Sequence, residues 1–120
     1  MPIATCVFDA YGTLFDVAAA ARRLAADPAH PRFAEAWPRI AEIWRLKQLQ
    51  YSWLRATAGV HTDFWQVTVN ALDYALEAVG GVASDERQLL LDLYFELDAY
   101  PEVPSMLAAL KEAGLETAIL

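Results

Sequence analysis

Hydrophobic and polar positions divide the chain into two short apolar runs near its ends and a long helical middle. Residues 3–8 form a nearly continuous apolar run, which predicts a strand buried on both faces of a parallel sheet. Residues 115–120 predict a second strand. Between the strands, the apolar spacing and the positions of Gly and Pro predict helices over 17–26, 38–59, 62–81, 84–100 and 104–114.

Residues at the helix ends set the predicted boundaries. A loop containing His30 precedes the long helix, whose first turn is predicted to hold Pro38. The apolar residues of that helix do not fall on one stripe, which predicts burial on several sides. Thr62 or Asp63 is the candidate N-cap of the next helix, and Ser84 that of the following one.

The order strand, helical insertion, helix, strand indicates an α/β protein. We expect residues 1–16 to form the first part of an α/β core, 17–98 a helical cap subdomain, and 99–120 the return to the core. Two strands do not make an independent parallel sheet. The sequence therefore predicts that the chain is truncated within its core, as the N-terminal part of a longer protein.

Net charge and cysteine content indicate which partners and which cellular compartment the protein is expected to have. The 120 residues suit one domain, and 16 acidic against 9 basic side chains give a net charge of -7, which disfavours nucleic acid and membrane surfaces as partners. A small anionic substrate would need a local cation. The single cysteine, Cys6, forms no internal disulfide and predicts a reducing, cytoplasmic setting. No apolar run is long enough to span a membrane, and no signal peptide is evident.

Asp9 lies where the first predicted strand ends, and open α/β sheets bind ligands beyond the carboxyl ends of their strands. The alternative is an aspartate that merely caps the following turn. Gly12 allows close backbone approach, and Thr13 offers a hydroxyl and an N–H beside the carboxylate. A bound anion or developing negative charge could be held there.

The string "DAYGT" at residues 9–13 resembles the first motif of the haloacid dehalogenase superfamily. In the phosphatase branches of that superfamily a second aspartate stands where this chain has Tyr11. A tyrosine is a poor acid at neutral pH and supplies no anionic magnesium ligand, so phosphoryl transfer would lack a central group. A carboxylate that attacks carbon and displaces halide needs no metal.

The resemblance extends to the L-2-haloacid dehalogenases through "WRLKQLQYSWLR", "DFWQVTVNALDYAL" and "YPEVPSMLAALKEAGLETAIL", in family order. It implies a Rossmann-like core with a parallel sheet and an inserted helical cap. The implied reaction is hydrolysis of short (S)-2-haloalkanoic acids to (R)-2-hydroxyalkanoic acids, through an aspartyl ester and with inversion. No cofactor or metal is implied, and the partners would be the 2-haloacid substrate, halide ion and a second copy in a homodimer.

Six residues match site positions of this subfamily. The resemblance implies that Asp9 is the nucleophile, that Arg45 binds the halide, and that the pocket is lined by Tyr11, Thr13, Leu49 and Phe64. It also implies a Ser-Asn pair, a lysine and an acidic residue beyond Leu120, so the 120-residue chain alone is expected to be inactive. Leu46 stands where the family often has glutamine.

Other interpretations of the same residues stay open at this point. Arg45 could form an ion pair with Glu42, although its neighbours Trp44 and Leu46 predict a buried cation that meets an anion. The protein could be a magnesium-dependent phosphatase of the superfamily, or a non-catalytic helical binding module. His30 and His61 are interpreted as solvated or capping residues.

Overall fold

The structure is a computed structural model that describes residues 2–120 and divides them into two compact units. The first contains the residues up to Val17 together with Leu97–Leu120, and the second is Ala18–Glu96. Helices and a parallel sheet confirm the α/β class. The predicted assignment of these segments to a core and a cap stays a prediction.

A two-stranded parallel sheet organises the first unit. Strand β1, Thr5–Phe8, pairs with strand β2, Glu116–Ile119, so that Phe8 lies opposite Ile119. A third element of this unit, which we call α5 in chain order, is the helix Val103–Glu112, and it packs on β2. The parallel register places the carboxyl ends of both strands at the same edge of the sheet.

Strand β1 is less buried than its apolar sequence predicts. Its residues alternate between exposed and half-buried, and all four residues of β2 are exposed. Within the described residues β1 has β2 as its neighbour and no helix packed on it. The predicted burial on both faces is therefore wrong for this chain, because two covering layers are needed to bury both faces of a strand.

The chain leaves and re-enters the first unit through two adjacent segments. The N–H of Asp16 donates to the carbonyl of Asp98 at 2.8 Å, and the N–H of Tyr100 donates to that of Leu14 at 3.0 Å. These antiparallel bonds join residues 14–16 to residues 98–100 in a short ladder. The segment between them, 17–97, therefore starts and finishes at the same place.

Four helices form the second unit: α1 Ala19–Ala25, α2 Pro31–Ala58, α3 Phe64–Val79 and α4 Ser84–Tyr94. Helix α2 packs against α1 and α3, and α4 packs against the same two helices. Their core contains large, fully buried apolar side chains: Phe33, Ile40, Leu72 and Leu90. No helix in the described part of the chain is both long and apolar enough to cross a membrane.

Helix α2 begins one proline earlier than predicted. Pro31 stands at its start, where a missing N–H costs nothing, and Pro38 lies inside the helix rather than in its first turn. The buried side chains Ile40, Trp44 and Gln48 are spaced by four residues and share one stripe. Burial on several sides was thus a wrong prediction, since Trp53 on the same helix is 66% exposed.

Helix α4 is capped differently from the prediction. Ser84 is its first helical residue and not its N-cap, and the carboxylate of Glu86 accepts from the N–H of Ala83 at 2.9 Å. The other oxygen of Glu86 pairs with Nδ1 of His30 at 2.9 Å. His30 occupies the N-cap position of α2 with a mostly buried ring, so the prediction of a solvated or capping histidine missed this partner. The helix ends at Tyr94, before the acidic segment included in the prediction.

Candidate active site

A tight loop follows β1 and carries the first group of predicted site residues. The carbonyl of Ala10 accepts from the N–H groups of Leu14 at 2.9 Å and Phe15 at 3.0 Å. Gly12 has a φ of 85°, in the left-handed region that a side chain would disfavour, and its N–H donates to the carbonyl of Phe15 at 2.8 Å. Glycine at this position lets the chain turn back toward the end of β1.

This turn brings Thr13 to Asp9. The Thr13 hydroxyl donates to Oδ2 of Asp9 at 3.1 Å, and both residues are exposed. Tyr11, between them, is half-buried. The loop therefore presents a carboxylate at the carboxyl edge of the parallel sheet, with one of its two oxygens held by a hydroxyl.

Arg45, Leu49 and Phe64 belong to the helical unit. Arg45 and Leu49 are half-buried and lie one turn apart on α2, and Phe64 is the first residue of α3. Phe64 and the side chains of Asp9 and Thr13 are thus carried by different units. The structure brings Asp9 and Thr13 together. That Arg45, Leu49 and Phe64 contact the same substrate as Asp9 stays a prediction.

The predicted alternative of an ion pair between Arg45 and Glu42 is wrong, whereas the role of Arg45 as a cation for an anion stays a prediction. Glu42 pairs with Arg39 at 3.2 Å on the surface and not with Arg45. Nη1 of Arg45 instead donates to Oε1 of Gln48 at 2.8 Å, so the described partner is a neutral amide. Leu46 is 50% exposed, and the prediction that it flanks Arg45 in a buried position is wrong.

Gln48 is the residue that sequence reasoning missed. It is 1% exposed, and its Nε2 donates to Thr68 Oγ1 and to the Tyr94 hydroxyl, each at 2.8 Å. The available signal was the spacing of four from Ile40 through Trp44, which places a polar residue on an apolar stripe. Within the described residues, no buried side-chain polar atom is left without a hydrogen bond.

A cavity of about 310 Å³ opens beside Phe64 within the helical unit. Ser52, Arg55 and Ala56 of α2 line one side, and Phe64 and Val67 of α3 line the other. Arg55 donates to neutral oxygens of the loop after α2 and of α3, at 3.0 and 2.9 Å. Phe64 thus borders open space of mixed apolar and polar lining.

In residues 2–120, no cluster of three or more His, Cys, Asp or Glu side chains has a geometry that could hold a metal ion. Cys6, the one cysteine, is half-buried in β1.

Comparison with known proteins identifies the family of this chain. The sequence model of the haloacid dehalogenase-like hydrolases matches residues 3–120. The chain therefore belongs to the haloacid dehalogenase-like hydrolase family.

Named relatives narrow the resemblance. The chain is 48% identical over 120 residues to (S)-2-haloacid dehalogenase 1 of Pseudomonas sp. strain CBS-3. The match covers 99% of this chain and 51% of the relative. It is 46% identical to (S)-2-haloacid dehalogenase of Xanthobacter autotrophicus, over 98% of this chain and 44% of the relative. The chain spans about half the length of the curated relatives it matches.

A solved structure supports the same relationship. L-2-haloacid dehalogenase from Xanthobacter autotrophicus with chloropropionic acid covalently bound matches with a TM-score of 0.78 and 40% identity. The match covers 99% of this chain and 46% of that one. The fold and the sequence resemblance therefore agree on the L-2-haloacid dehalogenases.

Proposed function

We propose that this chain is part of a hydrolytic dehalogenase that converts short (S)-2-haloalkanoic acids to (R)-2-hydroxyalkanoic acids. The observation that carries the proposal is the 48% identity to an (S)-2-haloacid dehalogenase across nearly the whole chain. The geometry of Asp9 supports it, because a carboxylate at the carboxyl edge of a parallel sheet lies where α/β proteins bind ligands.

Asp9 is the proposed nucleophile. Thr13 holds Oδ2, which leaves Oδ1 as the oxygen that attacks C2 of the substrate. As the new C–O bond forms, the carbon–halogen bond breaks and the halide departs with its electron pair. Water then cleaves the ester to Asp9, which restores the carboxylate and releases the hydroxy acid and a proton. C2 is attacked once, from the side opposite the halogen, and its configuration inverts.

Arg45 is the proposed cation for the departing halide, and Tyr11, Leu49 and Phe64 are the proposed pocket residues. A guanidinium beside the leaving group stabilises the charge that develops as the carbon–halogen bond breaks. The half-buried position of Arg45 on α2 supports this role, because partial removal from water strengthens its attraction for an anion.

The phosphatase alternative finds no support in these comparisons. The named relatives are dehalogenases, and one solved neighbour holds chloropropionic acid covalently. Tyr11 supplies no second carboxylate beside Asp9. We therefore expect halide release in the presence of EDTA.

The test measures chloride release from each enantiomer of 2-chloropropanoate, with and without EDTA. It uses the chain itself and a chimaera in which Leu120 is followed by the remaining half of the Pseudomonas relative. We expect the chimaera to release chloride from the S enantiomer alone and independently of metal. Asp9→Asn should lower the rate by about a thousandfold, because the nucleophile is lost. Asp92→Asn, an exposed aspartate of α4, is the matched control and should leave the rate unchanged.

Trapping of the intermediate identifies the nucleophile directly. Rapidly quenched chimaera, digested and weighed by mass spectrometry, should carry the propanoate group on the peptide that contains Asp9. Release from neither enantiomer would refute the activity. An unaltered rate in Asp9→Asn would refute the mechanism and favour the non-catalytic interpretation of this aspartate.

Homodimer formation and a cytoplasmic location complete the proposal. Trp53, Leu54 and Val60, at the C-terminal end of α2 and just beyond it, are exposed apolar residues that could be covered by a second copy. The lone cysteine fits a reducing compartment. Light scattering of the chain, with Trp53→Glu as the disrupting variant, tests the dimer, and fractionation of cells that express it tests the location.

A further inference from the structure

Gln48 occupies a position where an apolar residue would suffice for packing. It follows Ile40 and Trp44 on the buried stripe of α2 and is 1% exposed. Burial of an amide is costly unless all of its polar groups are paired. The pairing of Gln48 therefore needs a functional or structural reason.

Hydrogen bonds fix which way the Gln48 amide points. The hydroxyl of Thr68 already donates to the carbonyl of Phe64 at 2.8 Å, so its oxygen can accept from Gln48 but has no hydrogen to offer it. The second Nε2 hydrogen goes to the Tyr94 hydroxyl. If the amide were turned by 180°, its carbonyl would face the Thr68 oxygen and its NH₂ would face the N–H groups of Arg45. The hydrogen bonds of Gln48 to Thr68 and to Arg45 would then both be lost.

Oε1 of Gln48 is consequently held toward Arg45. It accepts from Nη1 at 2.8 Å, and because the guanidinium is planar and rigid, fixing this edge constrains the direction of its other N–H groups. An amide carries no charge. The bond therefore orients Arg45 without neutralising the positive charge that a halide would need.

The same network reaches a second predicted pocket residue. Thr68 links Gln48 to the backbone of Phe64, and Nε1 of Trp44 donates to the Thr68 carbonyl at 2.9 Å. The network thus fixes the start of α3, which carries Phe64, relative to the part of α2 that carries Arg45.

We propose that Gln48 is a positioning residue, which holds one edge of the Arg45 guanidinium through a neutral acceptor and so orients it toward the departing halide. This inference rests on the proposed function for the role of the halide, but the positioning itself is measurable in the 120-residue chain. Gln48→Met keeps the side-chain length and removes the amide. Gln50→Met, the same exchange two residues along α2, is the matched control.

The first measurement is the ¹⁵N NMR order parameter of the Arg45 Nε–H group, assigned by its loss in Arg45→Lys. We expect it to fall in Gln48→Met, because one anchored edge of the guanidinium is released, and to stay unchanged in Gln50→Met. An unchanged value in Gln48→Met would overturn the inference. Should that variant fail to fold, Tyr94→Phe removes one of the two acceptors of Gln48 and is expected to loosen Arg45 partially; no loosening there would overturn it as well.

The second measurement is chloride binding, followed by broadening of the ³⁵Cl NMR signal. Gln48→Met should weaken binding by about three- to tenfold, as expected when one orienting hydrogen bond is lost. Gln48→Glu should weaken chloride binding more than Gln48→Met does, because it places a carboxylate beside the guanidinium. A merely structural role would not distinguish the two substitutions by charge, and equal chloride binding by Gln48→Glu and the original chain would contradict the inference. If the original chain and the uncharged variant Arg45→Met bind chloride equally, the halide role of Arg45 in the proposed function fails, whereas the order parameter still decides the positioning.

Discussion

Replacement of Glu86 by alanine should destabilise the helical unit far more than replacement of other glutamates. Glu86 is buried, and its two oxygens bind the N–H of Ala83 at the start of α4 and the ring of His30 at the start of α2, each at 2.9 Å. Loss of an N-terminal capping bond costs about 1 kcal/mol. Loss of a part-buried bond to a charged group costs about 1.5 kcal/mol more, for a sum of about 2–3 kcal/mol.

Urea unfolding followed by tryptophan fluorescence measures this cost, because Trp44 and Trp65 lie in the same helical unit. Glu42→Ala is the control: Glu42 is exposed, its only described partner is Arg39, and we expect a change within about 0.5 kcal/mol. A Glu86→Ala variant that unfolds at the same urea concentration as Glu42→Ala would refute the reasoning. Combining Glu86→Ala with His30→Ala isolates the pair, and we expect less than the sum of the two single changes.

Two further substitutions test the ends of the helices. Asp63→Ala should lower the free energy of unfolding by about 1 kcal/mol in the same urea assay. Asp63 is the N-cap of α3, and its Oδ1 accepts from the N–H of Gln66 at 2.9 Å. Equal stability of the variant and the original chain would argue against this cap. Gly59→Ala should lower the free energy of unfolding by about 1 kcal/mol through backbone strain alone. Gly59 has a φ of 71° at the end of α2, and nothing lies within 4 Å of an added Cβ. A gain in stability would contradict this prediction.

Local sequence signals predicted the element types better than their ends. Both strands and five helices occur where apolar spacing and breakers predict them. Pro31 and Pro38 were equally acceptable as a first-turn proline, and the chain itself gave no reason to prefer the earlier one. Ser84 is a favourable N-cap by residue type, but the competing carboxylate of Glu86 satisfies the N–H at the helix start.

Tertiary partners were beyond the reach of the sequence. The spacing of Asp9 and Thr13 around a glycine predicted a carboxylate beside a hydroxyl, and the structure places them 3.1 Å apart. Gln48 could not be distinguished from an exposed helical glutamine, because its acceptors lie 20 and 46 residues further along the chain. The neutral partner of Arg45 lies only three residues away on α2, but the sequence does not show that the Gln48 carbonyl is turned toward the guanidinium. The roles of all these residues in catalysis stay predictions.

The ladder between residues 14–16 and 98–100 makes the helical unit an exchangeable module. Since the N–H of Asp16 bonds the carbonyl of Asp98, the two ends of the insertion are already as close as the ends of a hairpin turn. The entropic cost of closing this long loop is therefore offset within the α/β unit, and it rises only slowly with the number of residues in the loop. Helices of other lengths and sequences could be accommodated between these anchors, so α3 and its first residue, Phe64, can vary without disturbing the loop that carries Asp9.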